Sequence, residues 1–130
     1  MPSMHERQLY EYAVIRVVPR VERGEFINVG IVLLCKSKQF LGCKITPDTT
    51  KIKYMCNHID LEEVEQNLQA FRDIVNGVAN AGPIARLSPA DRFRWLTSAR
   101  STIIQTSKVH PGLTESECED LERLYNQLVR

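Results

Sequence analysis

A chain of 130 residues with 43% hydrophobic and 25% charged residues has the composition of one globular domain, which excludes disordered, collagen-like and coiled-coil chains. At this length it buries enough surface to fold without a metal or a disulfide. A net charge of +1 gives no bulk case for nucleic acid or membrane, and no apolar run approaches the roughly 18 residues of a membrane span.

Taken in chain order, residues 1–12 are polar and lack the apolar stretch of a signal peptide. The expectation is one domain over 1–130, with a flexible N-terminus at 1–8 and a cytoplasmic location. Leu9 to Val18 is rich in Val, Ile and Tyr, is halted by Pro19, and reads as a strand. A turn near Gly24 leads to a second strand, Phe26 to Cys35, and a polar turn at Lys36 to Gln39 leads to a third, Phe40 to Thr46. Short loops between strands predict an antiparallel meander.

With regular pairing, the odd positions form one buried face. They are Ala13, Ile15 and Val17, then Ile27, Val29, Ile31, Leu33 and Cys35, then Leu41, Cys43 and Ile45. The even face then carries Arg16, Asn28 and Lys44 among apolar residues, with Gly30 and Gly42 as gaps where a ligand can approach.

Pro47 to His58 is ambiguous, with a short helix from Asp48 as one reading. Asp60 caps a helix that runs to Asn76 and stops at Gly77. Ser88-Pro89 starts a short helix through Leu96. Arg100 to Gln105 holds Thr102-Ile103-Ile104 and reads as a fourth strand, followed by a loop at Val109 to Leu113. Thr114 caps the last helix, whose stripe of Cys118, Leu121, Leu124, Tyr125 and Leu128 is to pack on the sheet core. The fold class is therefore α+β: a three- to four-stranded, mainly antiparallel sheet with helices on one face.

No Walker loop, dinucleotide fingerprint, zinc-protease motif or nucleophile elbow is present. Cys35, Cys43, Cys56 and His58 do not have zinc-finger spacing, so the cysteines read as reduced thiols, with no metal and no cofactor. Two features remain. Arg16, mid-strand among apolar neighbours, needs a partner, for which Glu25 and Asn28 are nearest. The segment 92–101 holds Arg92, Arg94, Trp95, Arg100 and Ser101, residue types that bind anions or stack bases, or else dock the helix on the sheet.

The stretches Tyr12-Ala13-Val14-Ile15-Arg16-Val17-Val18-Pro19 and Gly24-Glu25-Phe26-Ile27-Asn28-Val29-Gly30-Ile31-Val32-Leu33 carry a family resemblance. So do Arg92-Phe93-Arg94-Trp95-Leu96 and Arg100-Ser101-Thr102-Ile103-Ile104-Gln105. The chain resembles the bacterial DUF3037 domain family over nearly its whole length. Members of that family resemble accessory proteins encoded beside HipA-like kinases, which implies a partner or regulator of a toxin-type kinase. The polar positions carried over are Arg16, Glu25, Asn28, Arg92, Arg100 and Ser101.

The leading expectation is a non-enzymatic, protein-binding module. The alternative is an enzyme or sensor binding a phosphorylated ligand or nucleic acid through Arg16, Arg92, Arg94 and Arg100. That alternative requires these groups to converge on one concave site.

Overall fold

The computed structural model describes residues 7–20, 23–98 and 102–130. Among these residues, five strands and four α-helices follow one another in the order β1 (Gln8–Val17), β2 (Ile27–Cys35), β3 (Phe40–Ile45), α1 (Thr49–Met55), α2 (Leu61–Asn76), α3 (Pro89–Thr97), β4 (Ile104–Thr106), β5 (His110–Thr114) and α4 (Glu117–Leu128). All pairings are antiparallel, and the class is α+β. β1 is the hub. It pairs with β2 along one edge, and along the other with β4 at residues 15–17 and β5 at residues 8–12; β3 lies outside β2. Of the N-terminal stretch 1–8, residues 1–6 lie outside the described residues, and Gln8 already pairs with Thr114.

Helix boundaries follow local chemistry. Asp48 accepts a hydrogen bond from Lys51 N and starts α1. The Asp60 carboxylate accepts from the Glu62 and Glu63 amides and starts α2, which Gly77 closes at φ 64°. Ser88 caps α3 through the Asp91 amide. The cap of α4 is Ser116, which accepts from Glu119 N; Thr114, expected there, instead ends β5 and accepts from Ser116 N. The segment read as a loop at Val109 to Leu113 is mostly β5. Its Pro111 and Gly112 suppress the strand signal, but an edge strand tolerates both because one side of its ladder is unpaired.

The main correction concerns register. Ile15 pairs with Gly30 but Arg16 pairs with Asn28, so Val29 is an extra residue in β2. The bulge inverts the side-chain parity of the rest of β2. Ile27 and Val29 join Ala13, Ile15 and Val17 on one face, as expected, together with Val32, Leu34 and Ile45. Ile31, Leu33 and Cys35 turn to the other face with Tyr10 and Val14.

Helices therefore pack on both faces, not one. The first face is covered by Ile52 of α1, Leu68, Phe71 and Val75 of α2, and Phe93 and Leu96 of α3. The second is covered by Leu124 and Tyr125 of α4. A strand buried on both sides loses its apolar–polar alternation, which is why β2 is almost wholly buried along its length.

Candidate functional site

Two regions gather the residues singled out in the sequence. The first lies where β1 and β2 emerge beside the end of α4. The Arg16 guanidinium lies 4.0 Å from the centre of the Phe26 ring, a cation–π contact. Asn28, its cross-strand neighbour, donates through Nδ2 to the Leu128 carbonyl at 2.9 Å and ties β2 to the last turn of α4. Arg16 Nε and Asn28 Oδ1 are both buried and have no hydrogen-bond partner among the described residues. Burial holds the Arg16 pKa below its ordinary value.

Glu25 does not pair with Arg16. It pairs with Arg23 at 2.5 Å, both side chains about half exposed, because the turn before β2 places these two side by side while Arg16 stacks on Phe26. Gly30 opens no gap for a ligand. A Cβ there would stand 2.6 Å from the Lys44 carbonyl oxygen and 2.9 Å from Ile45 Cγ1, so β3 already fills the space.

Beside Phe26 the surface is apolar and open. Tyr54 is 94% exposed, Phe26 44% and Leu128 38%. With Lys51, Met55 and Val129 they border a groove of about 470 Å³. A more polar hollow of about 320 Å³, containing Arg20, Arg23 and Glu25, lies on the other side of Tyr54. Among the described residues Arg16, Arg20 and Lys51 have no acidic partner. The sequence reading missed Tyr54. Its orientation follows from the helix that the structure establishes: Ile52 is buried, and two residues along a helix is about 200° around it, so Tyr54 points outward.

The second region holds α3. Phe93 and Leu96 dock into the core, as one of the two readings of this segment expected. Arg92 Nη1 donates to the carbonyls of Ile74 at 3.0 Å and Val75 at 2.8 Å, capping the C-terminal end of α2. Arg94 is exposed and 3.7 Å from Asp91, a weak surface pair. Trp95 is 37% exposed and borders a cavity of about 180 Å³ between α2, α3 and β4. Arg100 and Ser101 lie outside the described residues.

The arginines do not form one cluster among the described residues: Arg16 belongs to the α4 face of the sheet and Arg92 to the α2 end on the other. No group of three His, Cys, Asp or Glu that could hold a metal exists among the described residues. Nor is any helix among them long and apolar enough to cross a membrane.

Comparison with curated proteins and with solved structures finds no match. A family model described as "Protein of unknown function (DUF3037)" matches residues 12–129, nearly the whole chain, and the chain belongs to that family.

Proposed function

We propose that this domain is a non-enzymatic protein-binding module whose docking face is the groove around Tyr54, Phe26 and Leu128. The observation that carries the reading is the exposure of these three large apolar side chains around one groove that Lys51 also lines, with Arg16 stacked on Phe26 and Arg20 in the adjoining hollow; these cations have no acidic partner among the described residues. Contiguous exposed apolar surface bordered by polar groups is how protein interaction sites look. The charge fixes the partner chemistry. A segment with Asp or Glu flanking one or two apolar residues neutralises the rim and fills the groove. A co-encoded HipA-like kinase is the partner that the family resemblance suggests.

The test is a photo-crosslinking amino acid placed at Tyr54 and, as a control, at the exposed Arg94, in the full chain expressed with its co-encoded neighbours. The expected result is one partner crosslinked from position 54, absent from position 94, and lost with Lys51→Glu. Equal crosslinking from both positions, or none from 54, overturns the reading.

A further inference from the structure

Among the described residues no strand pairs with the outer edge of β4, which adjoins a cavity, and neither feature belongs to the Tyr54 face. Val18 N donates to Ile103 O at 2.7 Å, and Ser107 N donates to Val14 O at 2.8 Å. In an antiparallel ladder the backbone groups of alternate residues point the same way. Residues 103, 105 and 107 therefore face β1, and Ile104 and Thr106 turn their N–H and C=O groups outward. The Ile104 carbonyl confirms the direction, since it accepts from the Thr102 hydroxyl at 2.6 Å and not from a strand. β5 shares the β1 edge but carries Pro111, which has no N–H to offer, so that edge is blunted where β4 is not.

The cavity adjoins this edge. Phe71, Ile74, Leu96 and Ile104 form its apolar wall, Trp95 stands at its mouth, and no charged residue among the described residues lines it. Its volume of about 180 Å³ is close to the roughly 150 Å³ of a cavity that admits benzene. It is smaller than the roughly 300 Å³ at which pockets for whole small molecules begin. One uncharged side chain fits it; a nucleotide does not. A strand added to β4 places alternate residues on the face of Ile104 and Thr106. Their β1 partners Val17 and Ile15 belong to the α2–α3 core, so that is also the face of the cavity.

We propose that β4 is a strand-addition site: it pairs with an extended peptide segment and takes one large apolar side chain of that segment into the cavity beside Trp95. Backbone pairing supplies affinity and the cavity supplies selectivity. A charged residue at the anchor position is disfavoured, because the cavity lining among the described residues holds no counter-charge to replace its lost hydration.

Trp95 is the only tryptophan in the chain, so its fluorescence reports this site alone. The probe is N-acetyl-phenylalanine methylamide, a capped residue that carries both the ring and the strand-type N–H and C=O groups. At up to about 10 mM, a concentration suited to a weak single-residue contact, the expected result is a saturable change in Trp95 emission. Amide shifts of Ile104 and Thr106 in a nitrogen–proton spectrum accompany it. The N-methylated analogue, which lacks the pairing N–H, binds at least tenfold more weakly. Ala70→Arg, on the exposed face of α2, blocks the cavity and removes the response, with the remaining amide spectrum unchanged to show that the fold is kept. No response from the parent chain overturns the site. Equal binding of the N-methylated analogue overturns strand pairing. A response retained in Ala70→Arg overturns the cavity as the anchor.

Discussion

Arg16 stands directly opposite Asn28 across the β1–β2 ladder, one residue beyond the bulge at Val29, with its guanidinium over Phe26. The charge is half-buried, lacks an acidic partner among the described residues, and is stabilised by the electron-rich face of the ring. Phe26→Leu keeps apolar bulk but removes that face, and is expected to cost about 1 kcal/mol in urea unfolding. Arg16→Met removes the desolvated charge with its stem retained, and is expected to cost less than the Phe26 change. The reverse order would mean that Arg16 gains from a partner other than the ring.

Gly30→Ala tests the bulge. Its Cβ meets the Lys44 backbone at 2.6 Å, and backbone does not rotate away. A loss of about 1–3 kcal/mol is expected. Gly42→Ala is the control. Its nearest obstacles are the edge of the Phe40 ring at 2.7 Å and 3.0 Å, which a side-chain rotation relieves, so its loss in thermal unfolding is smaller.

Arg92→Ala leaves the Ile74 and Val75 carbonyls without their cationic donor. Charge-assisted bonds of this kind are worth about 1.5–3 kcal/mol, and a loss of about 2 kcal/mol is expected in chemical unfolding. Arg92→Lys restores part of it. An unchanged midpoint for Arg92→Ala would return this residue to the pool of binding candidates.

The Lys38–Glu117 pair, 2.8 Å apart, joins the turn before β3 to the first turn of α4. Its hydrogen bond lowers the Glu117 carboxyl pKa and raises that of Lys38. A lowered folded-state pKa stabilises the fold above the unfolded value of 4.5, and the contribution is lost as pH falls through the folded value. The melting temperature of Glu117→Gln is therefore expected to lie below that of the parent at pH 7, and the gap to close as pH falls below 4.5. A gap independent of pH would assign the effect to packing.

All four cysteines are free, and their environments differ. Cys118 is exposed, Cys35 is buried, and burial pushes the Cys43 thiol up to about 11. The thiolate is the reactive form. With iodoacetamide at pH 8, mass spectrometry is expected to find Cys118 alkylated first, and Cys35 and Cys43 only after unfolding. Early alkylation of Cys43 would show that the α2–β3 contact opens in solution.

Much of the fold was legible because its causes are local. Asp60, Gly77 and Ser88-Pro89 are capping signals confined to one turn of helix, and they marked α2 and the start of α3 to within a residue. The site was less legible. Glu25 was matched to Arg16 by proximity in sequence, yet the turn pairs it with Arg23. Leu128 was read as part of a buried stripe, yet it forms one rim of the exposed groove, where α4 runs past the sheet.

By itself, then, the sequence determined the antiparallel strands β1 to β3, the capped helices α2 and α3 and the family, because each rests on periodicity, capping or motif within a short window. Only the tertiary structure decided which face each residue serves. One extra residue, Val29, inverts the parity of everything after it in β2, and no local pattern reports a bulge in a strand that is apolar throughout. That inversion lets α4 cover a second sheet face, where Arg16 and Asn28 lie. The outer edge of β4 likewise has no paired strand among the described residues, because β5 pairs farther along β1 and not with β4.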